Sequence, residues 1–387
     1  MTRYNPFNPQ QPARPDFFVG RTPEIVEFEK FLSQTIHNSP MNMAITGNRG
    51  MGKTSILVKF EEIARRENCL VLRLSNYEGN ISNIVDFTDY LTSNLKREIM
   101  SRKTLKQDVA KAFDWMKTLK PTIVWKDIGL SLEQKQLVQD FLRQRLQKLW
   151  GEVKDENLAI VILFDEAESL EKVEGALAFM REVFQRISGE ANYMVVLAGK
   201  LNFPERMSES FSPLNRFFPC QKLAPLKRDE IRSYVLKKLE PEKVEITSDS
   251  LDYLFQESEG HPYVLVAMSY LIFDSLNEDE HAITMEIINR SKEKVRAKLW
   301  EDFFSPMFHP LTPKAKEYLK AIARHTKTCE FSFADTVNWT KAERSNLSPY
   351  IQELLRKGVL NKPERGQYAI FHPLFLDYIR KISKDGS

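Results

Sequence analysis

Residues 42–57, NMAITGNRGMGKTSIL, carry the densest chemistry in the chain: a short apolar strand runs into a glycine-rich turn and then into a helix with an apolar face. Gly47-Asn48-Arg49-Gly50-Met51-Gly52-Lys53-Thr54 fits the spacing G-x-x-x-x-G-K-S/T at every constrained position. Gly47, Gly50 and Gly52 open backbone torsions closed to other residues, so successive N–H groups can turn inward around phosphate oxygens. The N-terminus of the next helix adds its partial positive charge, and Ser55 extends the same first turn. Lys53 can reach β- and γ-phosphates, and the Thr54 hydroxyl can ligate the Mg²⁺ that bridges them. The chemistry this spacing serves is the binding of a nucleotide's phosphates.

Such a loop needs a carboxylate delivered by a second strand. Residues 158–166, LAIVILFDE, supply one, because the apolar run 159–164 suits a strand buried on both faces of a parallel sheet. Asp165 then falls at the strand's carboxyl end, where α/β sheets bind ligands. Asp165 is expected to hold Mg²⁺, directly or through water, and Glu166 to polarise the attacking water. A third apolar run, residues 193–199 (YMVVLAG), ends in Gly199-Lys200-Leu201-Asn202, where Lys200 or Asn202 is placed to meet the γ-phosphate or to be an exposed loop polar group. Arg216, beside Phe217 and Phe218, is either a surface charge over a core or a cation that neutralises the transferring phosphoryl group.

These groups need a scaffold, and alternating strand and helix signals predict a doubly wound α/β core. Residues 22–37 read as a helix with Thr22 as N-cap and Pro23 in its first turn. Residues 69–74 read as the second strand, and 170–188 as an amphipathic helix. Between them lies a long insertion, 80–157, read as helices at 83–119 and 133–150 with a strand or hairpin at 122–132. It holds no evident chemistry, so packing or recognition of a protein partner is its expected content. Helices at about 227–239, 248–257, 262–277 and 283–304 form an all-α block, in which Gly260-His261-Pro262 reads as a helix–helix corner. Ahead of the core, Pro6, Pro9, Pro12 and Pro15 recur every third residue, as on one edge of a polyproline II arm that is disordered or lies on its own domain, the alternative being a ligand for an aromatic groove in another protein.

At 387 residues the chain can hold two or three cores, and its net charge of +3 is that of an ordinary soluble protein, which by itself argues neither for nor against nucleic acid. No apolar run approaches a membrane span, the N-terminus does not resemble a signal peptide, and Cys69, Cys220 and Cys329 lack metal-ligand spacing. A cytoplasmic protein with reduced thiols and no membrane partner is expected.

The spaced set Phe18-Val19-Gly20-Arg21, the glycine-rich loop, Phe164-Asp165-Glu166, Asn215-Arg216-Phe217 and Gly260-His261-Pro262 resembles the AAA+/STAND group of P-loop ATPases, in particular archaeal-type ATPases and origin-recognition-like initiators. The likeness runs from about residue 17 over most of the chain but not over the insertion. It implies ATP and Mg²⁺ as ligands, Val19 and Gly20 beside the adenine, and Pro262 in a helical lid near the base. It also implies that Arg216 is a γ-phosphate sensor or an arginine finger for a neighbouring subunit, and hence a homo-oligomer in the active state. The chain departs from the family pattern at Gly199-Lys200, where the usual polar sensor is not clear.

The last segment, from about residue 310, resembles a winged helix: helices at 312–325, 333–339 and 341–357, then two strands around a polar tip. Such modules place the third helix in the DNA major groove. That helix offers Lys341, Arg344, Ser345, Asn346, Ser348 and Gln352, and the wing offers Lys362 and Arg365. Residues 311–387 carry 14 Lys and Arg against 8 Asp and Glu, a mild basic excess. The expected organisation is an arm (1–16), an ATPase core (17–222), a helical lid (223–306) and a winged helix (307–387). The expected function is an ATP-binding and ATP-hydrolysing switch acting on or near double-stranded DNA. The alternative is a signalling or defence switch whose insertion recognises a protein and whose winged helix is an autoinhibitory or interaction module.

Overall fold

The computed structural model describes residues 3–75, 81–101, 132–210 and 213–384. The chain divides into two compact units. The sheet unit comprises Arg21–Gly47 and Lys53–Leu223; the helical unit comprises Met1–Gly20, Asn48–Gly52 and Ala224–Ser387.

In the sheet unit, α1 (Thr22–Ile36) precedes β1 (Met43–Thr46), and α2 (Lys53–Arg66) leads to β2 (Leu70–Ser75). Then come α3 (Ile84–Ser101), α4 (Leu132–Val153), β3 (Ile160–Asp165), α5 (Ala176–Ile187) and β4 (Tyr193–Gly199), and the unit closes with α6 (Phe203–Ser210), α7 (Leu214–Phe217) and β5 (Cys220–Lys222). The five strands form one sheet in the order β2-β3-β4-β1-β5, every pair parallel. Every residue of β1, β3 and β4 is buried. Helices cover both faces of such a sheet, which is why these strands read as unbroken apolar runs rather than as alternation. The register sets Thr46 opposite Gly199 and Ser75 opposite Asp165, so the loop after β1 and the acids after β3 emerge at one end, one strand apart.

Several elements differ in extent from their sequence reading. Arg21, not Thr22, caps α1, in the left-handed region at φ 62°. The helix read at 170–188 begins only at Ala176, because Gly175 at φ 74° separates it from a 3₁₀ stretch, Ala167–Lys172. The strand or hairpin read at 122–132 lies outside the described residues except for Leu132, which opens α4. The helix read at 83–119 is described only to Ser101. Leu91 and Leu95 of α3 and Leu142 and Leu146 of α4 are buried in the core that also holds Ile160, Ile162 and Phe164 of β3.

The helical unit contains α8 (Arg228–Leu239), α9 (Ser248–Ser258), α10 (Pro262–Phe273) and α11 (Met285–Leu299), with a short parallel pair of β6 (Glu245–Ile246) and β7 (Ala282–Ile283). The helix read through 304 changes at its end into one π-helical turn, Trp300–Phe304. The proline-spaced arm lies on this unit: Phe7 is 1% exposed and meets the edge of Phe273, and Asn5 Nδ2 donates to the Tyr270 carbonyl at 2.9 Å. Beyond it come α12 (Pro313–His325), β8 (Glu330–Ser332), α13 (Phe333–Thr340), α14 (Arg344–Arg356), β9 (Leu360–Asn361), β10 (Gln367–Ile370) and α15 (Pro373–Lys384). The last three strands form an antiparallel sheet ordered β8-β10-β9. Lys341, at φ 51°, ends α13, so the helix read from 341 starts at Arg344. Glu353 ties α14 to the cap of α12, accepting from the Thr312 N–H at 2.8 Å and its hydroxyl at 2.7 Å. Among the described residues no helix is long and apolar enough to cross a membrane.

Candidate nucleotide site

In the sheet unit the charged groups expected at the phosphates converge. Thr54, in the first turn of α2, donates its hydroxyl to Asp165 Oδ2 at 2.7 Å. Lys53 Nζ donates to the Gly47 carbonyl at 2.8 Å, which folds the side chain back over the strand end. Asp165 Oδ1 accepts the Glu166 N–H at 3.0 Å, and Glu166 itself is exposed and held at φ 53°. A non-glycine residue in that left-handed region is uncommon. Arg216 is exposed on α7.

The charged groups at the strand ends perturb one another. Burial holds the Lys53 ammonium below its usual range, opposed by the nearby Glu168 and Asp165 carboxylates. Although Glu166 is exposed, partial desolvation of its carboxyl by the strand ends raises it, with Glu168 and Asp165 adding repulsion. Glu168 and Lys200 were not paired in the sequence reading, yet Lys200 Nζ lies 3.5 Å from Glu168 Oε1. Glu168 reaches this cluster because the 3₁₀ stretch after Glu166 turns it back toward the strand ends, a local detail that apolar periodicity does not register.

The donor set fits Mg²⁺. Thr54 and Asp165 present hard oxygens within hydrogen-bond distance of each other, and Mg²⁺ is usually held by one or two protein oxygens together with phosphates and water. Among the described residues no cluster of three or more His, Cys, Asp or Glu forms a protein-only metal cage.

Within the helical unit, Asn48–Gly52 forms a tight turn. Met51 N–H donates to the Asn48 carbonyl at 3.3 Å, and Gly50 takes φ 81°, the value a type II turn needs at its third residue. Pro262 is the first residue of α10, in a first turn where proline costs no hydrogen bond. Val19 packs half-buried on this unit's core. Gly20, at φ 67°, passes so close to Glu230 that an added Cβ would fall 2.6 Å from its carboxylate.

Comparison with solved structures places this architecture. The chain superposes on a Walker-type ATPase of Pyrococcus abyssi with a TM-score of 0.62 at 14% identity, covering 97% of this chain and 99% of that one. It also superposes on the ORC2 protein of Aeropyrum pernix, solved as ADPNP–ADP complexes, with a TM-score of 0.61 at 12% identity over 100% and 98% of the two chains. The fold is that of the P-loop ATPases. In sequence, the chain is 21% identical over 386 residues to an uncharacterized HTH-type transcriptional regulator of Methanocaldococcus jannaschii, covering 95% of this chain and 90% of that protein. Residues 301–379 match a domain of unknown function, DUF8462. Within this P-loop fold, β1 and β3 carry the phosphate loop and the acids, with β4 between them.

Proposed function

We propose that the protein binds ATP with Mg²⁺ and hydrolyses it as a switch acting on or near double-stranded DNA. The observation that carries the reading is the Thr54–Asp165 hydrogen bond beside Lys53, which brings the metal-ligating hydroxyl and carboxylate together at the end of the sheet. Lys53 supplies charge to the β- and γ-phosphates, Thr54 and Asp165 hold the metal, and Glu166 orients and deprotonates the attacking water. Mg²⁺ held there by Thr54 and Asp165 would supply positive charge against the phosphates.

The DNA part of the reading rests on the C-terminal module, which we take as a winged helix. Leu347, Ile351 and Leu354 point α14 into the core. Lys341, Arg344, Ser345, Asn346, Ser348, Gln352, Lys362 and Arg365 are all exposed, so the groups expected to meet a duplex are available to one. The similarity to a protein named as an HTH-type regulator agrees with this. Arg216 acts in this reading as a γ-phosphate sensor or across a subunit boundary in a homo-oligomer.

The test is titration of the full chain with Mg²⁺–ATP and with duplex DNA. Lys53→Ala should weaken nucleotide binding by about 1.5–3 kcal/mol, the scale of a lost charge-assisted contact. DNA retention should fall steeply with salt as counterions are released. Equal nucleotide affinity in wild type and Lys53→Ala would overturn the ATP reading, and salt-insensitive or absent DNA binding would overturn the DNA part alone.

A further inference from the structure

Two groups at the start of α10 are matched to the glycine-rich turn of the same unit. His261, the N-cap residue, accepts the Val264 N–H at Nδ1 over 3.4 Å, and its Nε2 lies 3.0 Å from the Arg49 carbonyl. One ring nitrogen therefore accepts and the other faces an oxygen, which fixes the neutral tautomer with the proton on Nε2. The Tyr263 N–H, one of the first-turn donors a helix leaves unmatched, goes to the Gly50 carbonyl at 3.1 Å. The fit is close: a Cβ on Gly50 would fall 2.5 Å from His261 Cε1 and 2.8 Å from Tyr263 Cβ.

These bonds set more than a contact. In a trans peptide the C=O and the following N–H point in opposite directions, and no described peptide bond is cis. A donor on the Arg49 carbonyl therefore turns the Gly50 N–H to the face of the loop away from α10. A donor on the Gly50 carbonyl likewise sets the Gly50–Met51 peptide, whose N–H closes the turn on the Asn48 carbonyl at 3.3 Å. The Gly50 amide belongs to the set that the glycine-rich spacing exists to aim at phosphate oxygens.

His261 is itself held. Its N–H donates to the Ser258 carbonyl at 2.7 Å, and the same oxygen receives His372 Nε2 at 3.1 Å. Its ring lies against Phe303, 5.8 Å between centroids, and Phe303 stacks on Tyr263 at 4.2 Å. Arg49 places its guanidinium 5.9 Å from the Phe303 centroid, so the turn's side chain and backbone meet the same cluster.

We propose that His261 is a positioning residue for phosphate binding, its ring N–H orienting the Arg49–Gly50 peptide so that the Gly50 amide is turned to the ligand before it arrives. Pre-setting that peptide spares the ligand the cost of ordering it. This deepens the nucleotide-binding reading above and rests on it.

The experiment measures Mg²⁺–ADP affinity by calorimetry, and melting without ligand, for wild type, Lys53→Ala, His261→Phe and His261→Gln. His261→Phe keeps a ring against Phe303 but has no donor; His261→Gln loses the ring and keeps an N–H long enough to reach the Arg49 carbonyl. The expected result is an affinity about tenfold lower in His261→Phe, the scale of one lost hydrogen bond, and largely recovered in His261→Gln, at similar melting temperatures. Should His261→Phe not fold, His261→Asn takes its place, since a short amide still caps Val264 but stops short of Arg49; it should bind as weakly. Wild-type affinity in the donor-less variants overturns the proposal, as does a His261→Gln protein as weak as His261→Phe. If wild type and Lys53→Ala both fail to bind Mg²⁺–ADP, the nucleotide-binding reading itself has failed, which is a different result from either.

Discussion

Lys53 and Thr54 are held by charge, whereas Arg49 and Gly50, a few residues earlier in the same loop, are held by neutral hydrogen bonds and aromatic rings. In the sheet unit Thr54 meets Asp165 and Lys53 sits among Glu168, Asp165 and Lys200. In the helical unit the Arg49 and Gly50 carbonyls receive His261 Nε2 and the Tyr263 N–H, and no carboxylate takes part in either bond. The difference teaches a division of labour within one motif. The charged groups cluster at the strand ends, while the peptide planes of the turn are set by donors that carry no charge to be screened.

The largest effect expected from this division is chemical. Glu166→Gln keeps size and polarity at the strand end but removes the base, so turnover of ATP should fall at least ~10²-fold while Mg²⁺–ATP still binds. Single-turnover hydrolysis together with equilibrium binding checks both halves, and unchanged turnover would take the base role away from Glu166.

A smaller effect should separate two glycines in the loop. Gly50 and Gly52 sit at φ 81° and 86°, but a Cβ would collide with His261 and Tyr263 at the first and meet nothing within 4 Å at the second. Gly52→Ala should cost about 1–2 kcal/mol of backbone strain. Gly50→Ala should add a further ~1 kcal/mol or more, because the first turn of α10 has to shift. Denaturant midpoints decide; equal losses would mean that the contact with α10 does not constrain the turn.

The smallest effect is a pH dependence on the neutral side. Burial holds the His372 imidazole below its ordinary 6.5, outweighing the upward pull of its hydrogen bond to the Ser258 carbonyl. The unfolded chain then binds the proton more readily than the native one. The stability from neutral His372 is fully present above 6.5 and is lost as pH falls from there through the lower native pKa. Each unit of depression is worth about 1.4 kcal/mol. Wild-type unfolding free energy should therefore decline below that pH more steeply than that of His372→Phe, and parallel curves would remove His372 from the account.

The scaffold of the candidate site was legible in the chain because its signals are local. The spacing Gly47 to Thr54 and the apolar run ending in Asp165 follow from what a phosphate loop and a doubly buried strand require of consecutive residues, and the parallel sheet has β1 and β3 where those runs stand. The Thr312–Pro313 start of α12 was readable for the same reason: a cap and a first-turn proline are one-residue decisions. Boundaries shifted where a single backbone angle intervened, as at Gly175 and Lys341.

Glu168 and His261 show what only tertiary structure decided. Nothing in Glu168's neighbours along the chain marks it as the partner of Lys200, which lies more than thirty residues away and meets it through the fold of the strand ends. His261 reads from its own sequence as the cap of a proline-started helix, and it is that, since Nδ1 caps Val264. Its second nitrogen finds a carbonyl 212 positions earlier. Sequence fixes which groups a side chain carries and which local torsions its neighbours allow. Which distant oxygen a ring N–H finally meets depends on the packing of whole helices, a sum over many weak contacts that no short stretch of residues contains.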